Sequence, residues 1–264
     1  MSSGEAVSPI LRQNLAMIIN LLRKWLQKYG YTLVGKDNIP ADILQDEQFL
    51  KYYKAVRPCT MTSVERLYSL LLALRYISAN NISGDFVECG VWKGGSSMLM
   101  ALHLREITNQ DTKIFMYDTF AGMPPPGKFD TDASGKQASD LLETAEKTQD
   151  IWAISTLDEV EQNLRSTGLP ASQIKYVVGK VEDTIPQTMP EKISLLRLDT
   201  DWYESTQHEL QHLYPRLVNG GVLIIDDYGF WKGSRKAVDE YFASLGILPL
   251  LQRIDDTGRM FVKA

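Results

Sequence analysis

The sequence predicts an α/β fold with a mainly parallel seven-stranded sheet, helices on both of its faces, and a helical segment at the N-terminus. Three observations predict it. Short, mainly apolar runs recur after Gly84, at residues 86–89, 114–117, 174–178, 193–198, 222–225, 248–251 and 260–262. Helical segments separate them, and mainly apolar strands alternating with helices are what a parallel sheet covered on both faces requires. The 264 residues, 44% of them hydrophobic, suffice for one large domain with a full core.

The helices follow from their apolar spacing. Leu11, Leu15, Ile18, Leu22, Trp25 and Tyr29 recur at three- and four-residue intervals, which predicts an amphipathic helix over 10–28. It is expected to pack on the core or on a second subunit, so a homodimer or higher homo-oligomer is expected. A second helix is expected over 63–79, and a capping box at Thr156 and Glu159 opens another that runs to about Arg165. Residues 1–80 are accordingly expected to form a helical cap or dimerisation segment and 81–264 the catalytic domain. Residues 119–150, with Pro124-Pro125-Pro126, Gly127 and Gly135, are too long for a simple connection and read as a lid.

Composition narrows the partners. A net charge of −5 disfavours nucleic acid, whose phosphates need a basic surface. Cys59 and Cys89 have no metal-type spacing and predict buried thiols rather than a disulfide framework. The first residues lack the basic and apolar regions of a signal peptide, and no apolar run reaches membrane-spanning length, so a cytoplasmic protein without membrane contact is expected. A small-molecule substrate fits best.

Chemistry concentrates at the ends of the predicted strands, where open α/β sheets bind ligands. Glu88-Cys89-Gly90-Val91-Trp92-Lys93-Gly94-Gly95-Ser96-Ser97 leads from the first strand into a helix. Its glycines allow a tight turn and close backbone approach to a ligand, although the spacing is not that of a dinucleotide fingerprint and a purely structural turn is the competing reading. Asp118 comes after the second strand, where a carboxylate can accept both hydrogen bonds of a ribose diol or simply cap the next turn. Together the two features read as a site for an adenosine-containing cofactor.

Asp199 and Asp201 come after the fourth strand and Asp226 and Asp227 after the fifth, so four carboxylates emerge at one sheet edge. Converging carboxylates repel one another unless a cation compensates them, and all-oxygen ligands favour Mg²⁺, then Mn²⁺ or Ca²⁺. Trp202, Tyr203, Tyr228, Phe230 and Trp231 crowd the same segments and can stack on a sugar or pack at the sheet edge. Asp255-Asp256-Thr257-Gly258 reads as a hairpin turn. His208-Glu209-Leu210-Gln211-His212 matches the zinc-protease pattern H-E-x-x-H, but Pro215 is close behind and no third-ligand segment is present, so surface histidines on a crossover helix are the better reading.

At these residues the chain resembles the family of macrocin, mycinamicin and noviose O-methyltransferases, which methylate sugars on antibiotics. The resemblance runs from about Arg57 onwards and is carried by Glu88-x-Gly90-Val91-x-x-Gly94-Gly95-Ser96, Asp118-x-Phe120-x-Gly122-Met123-Pro124, and Leu198-Asp199-x-Asp201-x-Tyr203-Glu204-Ser205-Thr206. Leu213-Tyr214-Pro215-Arg216-Leu217, Gly220-Gly221 and Ile225-Asp226-Asp227-Tyr228 complete it. It implies a class I, Rossmann-like methyltransferase fold with S-adenosylmethionine beside Glu88, Gly90, Val91, Gly94, Gly95 and Ser96. Asp118 would meet the ribose, with Thr119, Phe120, Gly122 and Met123 beside it. Met61 and Thr62 would meet the amino acid end of the cofactor, and Val181 and Glu182 the adenine. Asp199, Asp226 and Asp227 would hold Mg²⁺, Asp199 also facing the cofactor, and Asp201 would be the general base. The implied substrate is a glycosylated or vicinal-diol small molecule of secondary metabolism. A catechol O-methyltransferase, a metal-dependent nucleotide-sugar glycosyltransferase and a cofactor-binding module without catalysis are the competing readings.

Overall fold

The computed structural model describes residues 39–107, 111–146 and 150–264, and Ile43–Ala264 form one compact unit. The helix expected over 10–28 lies outside the described residues. Helix α1 (Glu47–Val56) begins where Asp46 accepts from Phe49 N at 2.9 Å, and α2 (Val64–Ala79) where Ser63 accepts from Arg66 N at 3.1 Å. In each, the side chain satisfies an amide that the first helical turn leaves without a partner.

Strand β1 (Asp85–Cys89) is succeeded by α3 (Gly95–Glu106), β2 (Ile114–Asp118), α4 (Ala138–Thr144), α5 (Leu157–Ser166) and β3 (Ile174–Val178). Then come α6 (Val181–Thr184), β4 (Ile193–Leu198), α7 (Tyr203–Leu213), β5 (Leu217–Ile225), α8 (Lys232–Ser244), β6 (Gln252–Arg253) and β7 (Arg259–Val262). The seven-stranded sheet has the order β3-β2-β1-β4-β5-β7-β6; β1 to β5 are parallel and the last two are antiparallel. The sequence-predicted α/β class and a seven-stranded sheet are thus present, with six of the seven predicted strands.

Side chains alternate between the two faces of a strand. Val87, Cys89, Leu196, Leu198, Leu223 and Ile225 form a core cluster with Leu210 and Leu213 of α7 and Val238 and Phe242 of α8. Glu88 and Arg197, one position out of phase with that set, point to the opposite face, where α3 supplies Ser97 to Glu88 and α2 supplies Arg66 to Asp226. Both faces are therefore covered.

Register determines which residues meet at the site. Cys89 is paired with Tyr117 on one side and with Leu198 on the other, and Leu198 with Ile225. The next residues, Gly90, Asp118, Asp199 and Asp226, consequently stand in one rank at the carboxyl edge. The strand order reverses direction around β1 and β4, which is where such sheets open a crevice.

One sequence expectation fails at the sheet margin. Residues 248–251 form no strand; Leu248 and Leu250 are 99% and 88% exposed, and the edge strand is Gln252–Arg253. Pro249 interrupts the run and cannot donate to a ladder, so its apolar residues never acquire a partner strand. The turn at Asp255–Gly258 does close the β6–β7 hairpin, with Asp255 Oδ1 accepting from Thr257 N and Gly258 N.

Candidate active site

A cavity of about 400 Å³ opens at the carboxyl edge of β1, β2, β4 and β5. Its wall begins with the glycine turn after β1. Gly90 adopts φ +81°, and a Cβ there would lie 2.0 Å from the Asp199 carbonyl oxygen, so only glycine fits this crossing of two chains. The Asp118 carboxylate clasps the turn from β2: Oδ2 accepts from Val91 N at 2.6 Å and Trp92 N at 3.1 Å, while Oδ1 accepts from Phe120 N at 2.7 Å. Asp118 thus caps the turn as the simpler reading has it, and it also lines the cavity.

Asp199, Asp201, Asp226 and Asp227 line the same cavity. Asp199, Asp226 and Asp227 each bring a carboxylate oxygen to within 4.8 Å of the others. Asp226 is buried, and Oδ2 of Asp227 is buried without a hydrogen-bond partner among the described residues. A buried carboxylate oxygen left without a donor is costly, and a hard divalent cation would satisfy it. The donor set therefore fits such an ion.

Two guanidinium groups share the compensation of these charges. Arg197, only 2% exposed one residue before the end of β4, donates through Nη1 to Glu88 and to Asp199, each at 2.7 Å, and through Nη2 to Asp226 at 2.5 Å and Thr62 Oγ1 at 3.3 Å. Arg66 of α2 pairs with Asp226 and, at 2.9 Å, with Asp255 of the β6–β7 hairpin. Six carboxylates, counting Glu88 and Asp255, outnumber the two arginines, so the acids of the cavity floor crowd one another.

Titration follows from that crowding. Burial pushes the Asp201 carboxyl up to about 7, and the charges of Asp199 and Asp226 add to the shift. Asp227 is raised well above the usual carboxylate range by burial and then by Asp201, and Asp199 by burial and then by Asp226 and Asp227, against the lowering influence of Arg197. Glu88 is raised by burial, with Arg197 opposing.

Of the residues expected at the cofactor site, Met61, Thr62, Glu88, Gly90, Val91, Gly95, Ser96, Asp118, Thr119, Gly122, Met123, Val181, Glu182 and Asp199 line the cavity. Gly94 and Phe120 do not. Gly94 is the left-handed N-cap of α3, where a Cβ would meet the Leu164 side chain at 2.9 Å, so its part is in packing. Phe120, at φ +50° and 9% exposed, is turned into the protein interior. Both oxygens of Glu88 are engaged, one by Arg197 and the other by Ser97 Oγ.

Sequence reasoning missed Arg197 and Arg66. A signal for the first was present: one arginine interrupts an otherwise nearly apolar central strand, and an arginine is almost never fully buried without partners. Arg66 carries no such signal, since only the packing of α2 on the sheet brings it to Asp226.

Residues of the 124–142 stretch pack against the segments after β4 and β5. Asp130, 0% exposed, accepts from Tyr203 N at 2.8 Å and Gly127 N at 2.6 Å, and Ala138 and Leu142 of α4 pack with Trp202 and Trp231. Trp202 in turn donates to the Pro124 carbonyl at 3.0 Å. Tyr203 points elsewhere, donating to Glu240 on α8, while Phe230 and Trp231 line the cavity. The rings of His208 and His212 on α7 meet at a 50° tilt, 4.4 Å between centroids, and Nε2 of His208 lies 2.9 Å from the Ile185 carbonyl oxygen; Glu209 is buried on the side that faces Thr200.

An α/β sheet with a glycine turn, a strand-end carboxylate and an acidic floor around one cavity defines an enzyme of the class I O-methyltransferase type. The comparisons specify it further: the family model described as macrocin-O-methyltransferase (TylF) matches residues 53–263, and the chain belongs to that family. It is 34% identical over 199 residues to demethyldecarbamoylnovobiocin O-methyltransferase of Streptomyces niveus, covering 75% of this chain and 73% of the relative. It is 35% identical over 199 residues, again 75% and 73%, to 8-demethyl-8-(2,3-dimethoxy-alpha-L-rhamnosyl)-tetracenomycin-C 4'-O-methyltransferase of Streptomyces olivaceus. The solved structure of the O-methyltransferase NovP is similar at a TM-score of 0.69 and 33% identity, covering 78% of this chain and 82% of that one. The chain is an O-methyltransferase. Among the described residues no helix is long and apolar enough to cross a membrane.

Proposed function

We propose that the protein transfers the methyl group of S-adenosylmethionine to a sugar hydroxyl of an antibiotic-type natural product, with a divalent cation, Mg²⁺ first among them, in the acidic floor. The single observation that carries this is that one cavity joins the Asp118-clasped glycine turn to the cluster of Asp199, Asp201, Asp226 and Asp227. The names of the two relatives support the acceptor class, one of them specifying a methylated rhamnosyl unit.

In this reading Asp118 and the amides of the turn hold the adenosine end, and Val181 and Glu182 flank the adenine. Asp199, Asp226 and Asp227 would hold the cation, which when bound supplies a Lewis acid that lowers the pKa of a coordinated hydroxyl. Asp201 accepts the proton of the acceptor hydroxyl as its oxygen attacks the sulfonium methyl and S-adenosylhomocysteine leaves as a neutral thioether. A carboxylate whose pKa is raised towards 7 is a better base than an ordinary one and is still ionised in part at neutral pH. Arg197 keeps Glu88, Asp199 and Asp226 in place, and the lid residues around Trp202 and Trp231 exclude water from the reacting atoms.

A panel of acceptors assayed with methyl-labelled S-adenosylmethionine tests the proposal. Labelling of a glycosylated scaffold and not of its aglycone or of simple catechols is expected; labelling of catechols alone would replace sugar by phenol as the acceptor.

A further inference from the structure

The H-E-x-x-H segment of α7 contains one group that the proposed methyl transfer does not use. Glu209 is 0% exposed, its Oε2 has no partner among the described residues, and its Oε1 accepts from Thr200 Oγ1 at 2.9 Å. Burial, with the charge of Glu182 adding to it, raises its carboxyl well above the usual range. The Cys89 thiol is its other hydrogen-bonding neighbour, and keeping such a group under the site is costly unless these hydrogen bonds matter.

Its partner is the residue between two of the four site aspartates. Thr200 is held three ways: its hydroxyl by Glu209, and its carbonyl oxygen by Trp202 N at 2.7 Å and Ser205 Oγ at 3.3 Å. Ser205 and Glu209 are one helical turn apart and lie on one face of α7, so a single rigid helix supplies two of the three restraints. The next residue, Asp201, sits at φ +68°, a left-handed conformation that a non-glycine residue keeps only when its surroundings impose it.

We infer that Glu209 is a positioning residue that, through the Thr200 hydroxyl, holds Asp201 in the strained turn from which its carboxylate faces the acceptor. The motif that resembles a zinc site is thus the underside of the catalytic loop. The inference rests on Asp201 being the base. It predicts that loosening Thr200 displaces the base without disturbing Gly90, Val91, Asp118, Val181 and Glu182, which stand at the ends of β1 and β2 and on α6.

The test compares Thr200→Val, Thr200→Ser and Glu209→Gln with the wild type and with Asp201→Asn, measuring kcat, KM for S-adenosylmethionine and S-adenosylhomocysteine affinity. Thr200→Val removes the donor and keeps the volume. It is expected to lower kcat about 10- to 100-fold, the effect of a misplaced group, with KM for the cofactor and product affinity within about twofold of wild type, where tertiary contacts of the cofactor wall are intact. Thr200→Ser restores the hydroxyl and should recover most of that loss, and Glu209→Gln, whose amide oxygen still accepts, should stay closer to wild type than Thr200→Val. Wild-type kcat in Thr200→Val beside an inactive Asp201→Asn would overturn the positioning role alone. A loss in Thr200→Val that Thr200→Ser does not recover, or one seen equally in product affinity, would also overturn it. Near-wild-type kcat in Asp201→Asn would instead remove the base on which the inference stands.

Discussion

Glu88 and Arg197 are register partners across the parallel strands β1 and β4, and Arg197 Nη1 lies 2.7 Å from Glu88 Oε1 with both side chains almost wholly buried. The same guanidinium reaches Asp199 and Asp226, so the centre of the sheet and the floor of the cavity share one cation. Removing one partner from a buried ionic network leaves the others uncompensated, at about 3–5 kcal/mol. Arg197→Met is therefore expected to lower unfolding free energy by about that amount in urea titrations. A loss below about 1 kcal/mol would show that the network is not what holds these carboxylates. Arg197→Lys should rescue little, because an ammonium cannot span three carboxylates at once.

The base assignment is tested by Asp201→Asn. Amide for carboxylate keeps the shape and removes the proton acceptor, so kcat should fall about 10²–10⁴-fold while S-adenosylhomocysteine affinity stays unchanged. Comparable turnover across the pH range would exclude Asp201 as the base.

The metal assignment makes a separate prediction. Asp227 carries the buried oxygen without a partner, so Asp227→Ala should weaken Mg²⁺ or Mn²⁺ binding, measured calorimetrically, by at least about 10-fold, and wild-type activity should fall on chelation and return on adding Mg²⁺. Full activity after exhaustive chelation would leave the acidic floor to the two arginines.

Away from the site, Asp46 caps α1 and pairs with Arg75 of α2. The hydrogen bond from Arg75, helped by Phe49 N and the Arg75 charge, lowers its pKa from 3.8 to about 2. A depressed carboxyl stabilises the fold above its unfolded pKa, and that contribution is lost as pH falls towards 2. Solvent screening at this partly exposed pair limits it to about 1 kcal/mol. Asp46→Asn keeps a capping side chain and loses the charge. The stability gap between wild type and Asp46→Asn should accordingly be largest near neutrality and close as pH falls from 3.8 to about 2. A gap that does not change over that interval would assign Asp46 to capping alone.

Much of this fold and site is legible along the chain because each central strand is marked twice, by its apolar run and by the residue directly after it. The runs ending at Cys89, Leu198 and Ile225 are mainly apolar, interrupted only by Glu88, Ser194 and Arg197, and Gly90, Asp199 and Asp226 come directly after them. The illegible part is lateral. That Glu88 stands beside Arg197, that α2 brings Arg66 to Asp226, and that Thr200 rests on Glu209 depend on register and helix packing between residues up to 160 positions apart. Gly94 reads as a cofactor glycine for the same reason: a glycine for backbone approach and a glycine for side-chain packing look alike until Leu164 is seen against it. Leu248 and Leu250 show the converse, an apolar pattern with no partner strand to make it a strand.

Calorimetric titration of the protein with S-adenosylhomocysteine, with UDP as the control and each with and without Mg²⁺, tests the central claim most directly. Saturable binding of S-adenosylhomocysteine with no binding of UDP is the result the proposed function predicts, since it gives the turn and Asp118 an adenosine to hold. Binding of UDP in Mg²⁺ with none of S-adenosylhomocysteine would contradict it and make the acidic floor a diphosphate site.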